Sequence, residues 1–270
     1  MKCRLANVDL AYDVAGASQS PTLLLVHGFP HDRTIWAPQM RALSAAYQCV
    51  AVDLRGFGES SSAPPYSMDQ YADDLAALLD AIGVRRAAIA GVSMGGYVSF
   101  AMWRRHADRV NGFVFVDTRA GADSDTVRAR RQEWIARVHT EGVAAMSETL
   151  AAGQLGTTTR TRHPELEPTV VAMARRMSEE GLIGALAAAM DRPDSTDALA
   201  TITVPTMFVV GDEDTIAPRS ESERMQSLVA GSRLEVIHGA GHLSNLERPA
   251  AFNALVSEWA ATTCDTAPAP

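Results

Sequence analysis

The chain has 270 residues and a mass of 28.9 kDa, with 47% hydrophobic and 21% charged residues, values that suit a packed globular core and set disorder aside. A formal net charge of −8 repels a phosphate backbone and argues against a nucleic-acid partner. The three cysteines, Cys3, Cys49 and Cys264, form no Cys-x-x-Cys pair, which argues against a zinc knuckle or a dithiol redox site and fits free thiols.

From the N-terminus, Arg4 to Val14 alternates weakly and reads as a β-hairpin with Asn7 near its turn. TLLLVHG, at 22–28, is an apolar run closed by glycine, the pattern of a strand buried on both faces. A helix over 34–46 and a second buried strand over 48–53 follow. Ser67 and Gln70 predict a capping box at the start of the next helix. Its Tyr71, Leu75, Leu78, Leu79 and Ile82 share one face, and Gly83 stands where a helix ends. A strand over 87–92, a helix over 94–107 and a strand over 110–117 continue the alternation. Residues 119–200 show no strand pattern, only helical patches near 125–139, 141–152, 165–178 and 180–190. The alternation resumes with a strand over 205–210, a helix over 218–229, a strand over 233–238 and a helix over 248–261; the last residues are expected to fray.

Strand–helix alternation on both sides of a helical stretch predicts an α/β fold, a mostly parallel central sheet flanked by helices and carrying an inserted helical cap. The expected division is a core of residues 1–118 and 200–262, a cap of 119–199 and a tail of 263–270. The N-terminus lacks the apolar stretch of a secretory signal, and no run of about 18 apolar residues occurs, so a cytoplasmic protein without membrane contact is expected. Active sites of such sheets lie at the carboxyl ends of the strands.

Gly91-Val92-Ser93-Met94-Gly95 sits at such an end, between a predicted strand and a predicted helix. In that setting Gly-x-Ser-x-Gly makes a sharp elbow: larger side chains at 91 and 95 would collide with neighbours, and Ser93 is presented at a helix N-terminus that favours negative charge. A serine hydroxyl needs a base. Of the seven histidines, His242 lies in a glycine-flanked loop just past the last strand, whereas His238 closes that strand and reads as structural. The carboxylate that orients the imidazole is assigned to Asp214, where the chain turns away after the 205–210 strand; Asp212 reads as a turn former, and Asp117 is the other candidate acid. The pairs His27/His31 and His238/His242 lie on no predicted helix, so no metal site and no organic cofactor are expected. The oxyanion donors are expected to be the backbone N–H groups of Met94 and Phe29, because Pro30 has none to give. His27 is expected to fix its loop by packing.

Together, HGFP at 27–30, DLRGFGES at 53–60, GVSMGG at 91–96, GDEDTIAP at 211–218 and GAGHLSNLERP at 239–249 resemble the α/β-hydrolase fold superfamily, from about residue 20 to 260 outside the cap. Within it, the chain resembles the capped esterase and lactonase branch, including 3-oxoadipate enol-lactonase-like and acyl-homoserine lactonase-like proteins. Some members of the superfamily place the acid at the position of Asp117. Haloalkane dehalogenases and epoxide hydrolases carry an aspartate where this chain has Ser93, which argues against both chemistries.

The resemblance implies hydrolysis of small carboxylic esters or lactones through an acyl-enzyme. It leaves open C–C bond hydrolysis, perhydrolysis, and a ligand-sensing role with minimal turnover. An acyl group with an apolar tail is expected in a pocket bordered by His31, Trp36, Trp134, Met146 and Met190, with most other large apolar side chains of the cap packing its helices together. The arginines Arg128, Arg130, Arg131 and Arg137 are expected on a solvated face. Oligomeric state is not legible.

Overall fold

The computed structural model describes residues 1–263; Cys264 and the predicted tail past Thr263 lie outside them. In chain order the elements are β1 (Lys2–Arg4), β2 (Asp9–Ala15), β3 (Thr22–Val26), a 3-10 turn at Arg33–Trp36, α1 (Ala37–Leu43), β4 (Gln48–Val52), α2 (Met68–Ala81), β5 (Ala87–Val92), α3 (Met94–His106) and β6 (Val110–Val116). Then come α4 (Asp125–Ala151), α5 (Thr157–Arg162), α6 (Leu166–Arg175), α7 (Glu179–Asp191), α8 (Thr196–Leu199), β7 (Thr206–Gly211), α9 (Arg219–Leu228), β8 (Arg233–Ile237), α10 (Ser244–Glu247) and α11 (Pro249–Thr263).

The eight strands form one sheet in the order β1-β2-β4-β3-β5-β6-β7-β8. The N-terminal hairpin joins it antiparallel, and every pair from β4/β3 to β7/β8 is parallel. The apolar runs are continuous because both faces of these strands are covered, and their alternation divides the core into two layers. Leu24, Val26, Val50, Val52, Phe113, Phe115 and Phe208 face one layer. Leu23, Leu25, Ala51, Val114, Val116 and Val209 face the other. Phe115 stacks between Phe100 and Phe208, with ring centroids 4.6 and 5.4 Å away.

α2 begins as predicted, with Gln70 N–H donating to Ser67 Oγ at 3.0 Å, but the Gln70 side chain turns to Asp74 at 3.1 Å instead of closing the capping box. Tyr71, Leu75, Leu78 and Leu79 are fully buried, and Gly83 takes the left-handed φ of 72° past the helix end. The break expected near 140 is a kink: Gly142, at φ 80° and ψ 166°, splits α4 into two helical stretches. The short helices α5, α8 and α10 were not legible from periodicity, because four to six residues hold barely one apolar repeat. Parallel order brings the ends of β3, β5, β6, β7 and β8 to one edge, with the helical segment α4–α8 entering between β6 and β7. Among the described residues no helix is long and apolar enough to cross a membrane.

Candidate active site

Ser93 occupies the turn between β5 and α3 at φ 53° and ψ −112°, a left-handed conformation that costs a side-chain-bearing residue about 1–3 kcal/mol. Neighbouring glycines allow the strain. A Cβ on Gly91 would lie 2.4 Å from the Gly95 carbonyl oxygen, and one on Gly95 would lie 2.3 Å from that of Val26. The elbow is tied down from β6: Ser93 N–H donates to the Val116 carbonyl at 2.8 Å, and the Thr118 hydroxyl donates to the Ser93 carbonyl at 2.7 Å.

The Ser93 hydroxyl lies 2.8 Å from His242 Nε2, and His242 Nδ1 lies 2.8 Å from Asp214 Oδ2. The other oxygen of Asp214 accepts from the N–H groups of Ile216 at 2.7 Å and Ala217 at 3.0 Å. This orients the carboxylate and makes Nδ1 the protonated ring nitrogen, leaving Nε2 to accept from serine. Burial opposes a charge on His242, but the charge and hydrogen bond of Asp214 outweigh it and hold the imidazole pKa above its ordinary value.

Asp117, the other candidate acid, contacts backbone instead. It sits at φ 46°, with Oδ1 accepting from Gly211 N–H at 2.9 Å and Oδ2 accepting from Ser244 N–H at 2.9 Å and Ser244 Oγ–H at 2.6 Å. It thereby ties β7 and the loop of His242 to β6. Burial first, and then the negative charge of Asp214, push its carboxyl pKa above the usual range. Glu247 was missed by sequence reasoning. Buried under the same loop, it accepts from Gly241, Leu243 and Gly156 N–H groups at 2.9, 3.1 and 2.9 Å. His242 N–H itself donates to the Gln154 carbonyl at 2.8 Å, so the helical segment also braces the histidine.

His27 is buried, with Nδ1 bonded to the Gly28 carbonyl at 2.8 Å and Nε2 accepting from Leu54 N–H at 3.0 Å, an arrangement that fixes the loop carrying Phe29. Asp212 accepts from Gly239 N–H at 2.7 Å and pairs with the exposed His238 at 2.8 Å, as a turn former would.

Above Ser93 and His242 opens a cavity of ≈ 170 Å³. Phe29, Met94 and Trp134 line it. Met94 stands in the first turn of α3, where backbone N–H groups have no intrahelical acceptor. Four residues expected at the pocket are elsewhere. Trp36 is fully buried in the second core layer, its ring 6.0 Å from that of Phe252. Met146 is buried in the first layer, and one turn further along α4 Leu150 lines the cavity in its place. Met190 is buried, and Ala189 beside it is the lining residue. His31 is fully buried and is not among the lining residues, and burial pushes its pKa down to about 3. The large methionines served to pack the helices, because periodicity marks an inward face but not which neighbour it meets.

The arginine expectation also divides. Arg137 pairs with Glu141 on an exposed face at 2.7 Å, and Arg128 reaches Asp191 at 3.6 Å. Arg130 is exposed as expected but also borders the cavity, and Arg131, only 11% exposed, lines it. Sequence reasoning also missed Tyr97, Arg119, Gln154 and Ile216 as lining residues. Three had a signal: Tyr97 is one helical turn beyond Ser93, Arg119 closely follows Asp117, and Ile216 closely follows Asp214.

A mostly parallel sheet with a serine elbow at its centre and a histidine beyond its last strand defines the α/β-hydrolase class. The chain belongs to the alpha/beta hydrolase fold family, whose model matches residues 21–249. It is similar in structure to a thermophilic esterase from Thermogutta terrifontis, at 35% identity and a TM-score of 0.93, covering 97% of this chain and 99% of that one. It is similar to the enol-lactonase of Burkholderia xenovorans LB400, at 27% identity and a TM-score of 0.87, over 94% of this chain and 97% of that one. In sequence it is 28% identical to 3-oxoadipate enol-lactonase 2 of Acinetobacter baylyi, over 92% of this chain and 91% of that protein. These relatives fall in the esterase and lactonase branch expected from the motifs.

Proposed function

We propose that the protein hydrolyses carboxylic esters or lactones of small molecules through a serine-bound acyl intermediate. The observation that carries this reading is the hydrogen-bonded chain from Ser93 Oγ through His242 to Asp214, with both links at 2.8 Å, opening into the cavity. In the first half-reaction His242 Nε2 takes the Ser93 proton as Oγ bonds to the substrate carbonyl carbon. The oxygen that gains the negative charge is received by the Met94 and Phe29 N–H groups. The carbon–oxygen bond to the alcohol then breaks, and His242 gives its proton to the departing alkoxide. In the second half a water loses a proton to His242, adds to the acyl carbon and releases the acid, and the proton returns to Ser93. Asp214 keeps the imidazole in the tautomer this needs and stabilises its charged form.

In this reading residues 119–199 form the cap, which roofs the nucleophile and selects substrate, and residues 1–118 and 200–262 supply the chemistry. The small cavity favours short acyl groups over long apolar tails. The unpaired thiols of Cys3 and Cys49 support a reducing, cytoplasmic setting. The test is steady-state hydrolysis of p-nitrophenyl esters and acyl lactones of graded chain length. The expected result is turnover of roughly 1–10³ per second on short acyl chains, removed by Ser93→Ala. Turnover well below one per second on every member of the panel would favour the ligand-sensing reading.

A further inference from the structure

The cavity above Ser93 holds a phenol that the acyl-transfer steps leave unused. Tyr97 lines it together with Ser93, Met94, Arg119 and His242. It follows the nucleophile by four residues, one helical turn along α3, which brings both side chains to the same end of the helix.

The ring is clamped in place. Tyr97 is only 8% exposed, and the guanidinium of buried Arg192 lies 4.0 Å over its ring centroid. Arg192 is held in turn by Asp123 at 2.7 Å and by the Gly121 and Ala189 carbonyls at 2.8 and 2.6 Å. The hydroxyl has Arg119 as its hydrogen-bonding neighbour. A guanidinium carries donors and no acceptor, so in that bond the phenol oxygen accepts and its own O–H stays free to donate. Among the described residues no acceptor takes that hydrogen. A buried tyrosine hydroxyl normally has such a partner. Here the cavity is where a substrate oxygen can supply it.

The position selects which oxygen. Arg119 also acts on His242, where its charge opposes protonation of the imidazole, so phenol, guanidinium and imidazole lie together. The carbonyl oxygen is assigned to the Met94 and Phe29 N–H groups. The oxygen that must approach His242 Nε2 is the departing one, because it takes the proton from that nitrogen. A hydroxyl whose oxygen accepts from a cation is polarised into a better donor, and two guanidiniums beside it favour negative charge on the atom it meets.

We infer that Tyr97 is a catalytic residue for the leaving group: its hydroxyl donates a hydrogen bond to the alcohol oxygen of the ester as that oxygen departs. The bond between the acyl carbon and the alcohol oxygen breaks, its electron pair goes to that oxygen, and the proton comes from His242 Nε2. Tyr97 keeps its own proton throughout. This rests on the ester-hydrolase reading and narrows its substrate class to esters and lactones of ordinary aliphatic alcohols, whose alkoxides need such help to leave.

The test compares two butyrate esters that pass through the same acyl-enzyme. The p-nitrophenyl ester has a leaving group that departs unaided, and the ethyl ester does not. Tyr97→Phe removes one oxygen and keeps the ring under Arg192. In this variant kcat/KM, which reports acylation, is expected to fall about 10- to 100-fold on ethyl butyrate and less than about threefold on p-nitrophenyl butyrate. Across phenyl butyrates of graded phenol pKa, log kcat/KM should decline more steeply with that pKa in the variant than in the wild type. A purely structural role for Tyr97 would lower every ester by one factor and leave the slope alone. Equal losses on the two esters, an unchanged slope, or full activity of the variant on ethyl butyrate overturns the inference while the ester-hydrolase reading stands. A wild-type protein that hydrolyses neither ester breaks that reading and the inference with it.

Discussion

At the strand ends, each side-chain nitrogen or oxygen of Ser93, His242, Asp214 and Asp117 has a partner, most of them backbone N–H groups or one another. Across the cavity, Arg119 and Arg131 share the carboxylate of Asp123, and Arg130 lies exposed beside the ring of Trp134. The first region is rigid and electrostatically complete, so little must rearrange while charge moves during reaction. The second is less fully paired and more open to water. The contrast teaches that the fully paired groups are held by strand termini, and the less fully paired arginines by the segment inserted between β6 and β7.

The largest effects should come from breaking the complete side. Ser93→Ala is expected to lower kcat by about 10⁴-fold or more on any ester, and His242→Ala by a similar factor. The double variant should be hardly worse than either, because the pair acts as a unit. Steady-state kinetics on purified protein with an unchanged circular dichroism spectrum checks this, and additive losses would separate the two side chains.

Next in size is the contrast between two buried carboxylates. Asp214→Asn presents the wrong group to His242 Nδ1 and should cost up to about 10⁴-fold in kcat. Asp117→Asn turns an amide NH₂ toward the donors of Gly211 or Ser244, so it should mainly lower stability, by about 1–3 kcal/mol, with a far smaller loss of kcat. The reverse order would move the orienting acid to the end of β6.

Gly95→Ala tests the rigidity of the elbow. Its methyl would meet the Val26 carbonyl oxygen at 2.3 Å, a backbone atom that cannot turn aside. A loss of about 1–3 kcal/mol or more is expected by chemical denaturation, with a larger fall in kcat than in substrate affinity. Arg137→Ala, on the outward face of α4, is the matching control and should leave both turnover and Tm unchanged.

A smaller effect joins the two regions. His242 must be neutral to accept the serine proton, so kcat/KM falls as pH drops through its pKa. That pKa is held above the ordinary 6.5, so the acid limb of the profile should lie above pH 6.5. Asp214→Asn removes the charge that raises it and should move the limb down. Arg119→Gln removes a charge that lowers it and should move the limb up. An acid limb that ignores Arg119 would mean that the arginine wall and the nucleophile are electrically separate.

By itself the sequence determined the parallel sheet, the helical insertion and the strand-end positions of Ser93, Asp214 and His242. These are written in short windows. Apolar runs of five or six residues mark strands covered on both faces, and glycines at 91 and 95 answer a steric demand within one turn. Only the tertiary structure decided what faces the serine. Trp36, Met146 and Met190 went to packing, Arg131 came in from an expected solvated face, and Asp117 and Glu247 became braces of the histidine loop. Periodicity marks which side of a helix is inward, but the neighbour it meets depends on how α4 kinks at Gly142 and lies across strand ends far away in the chain.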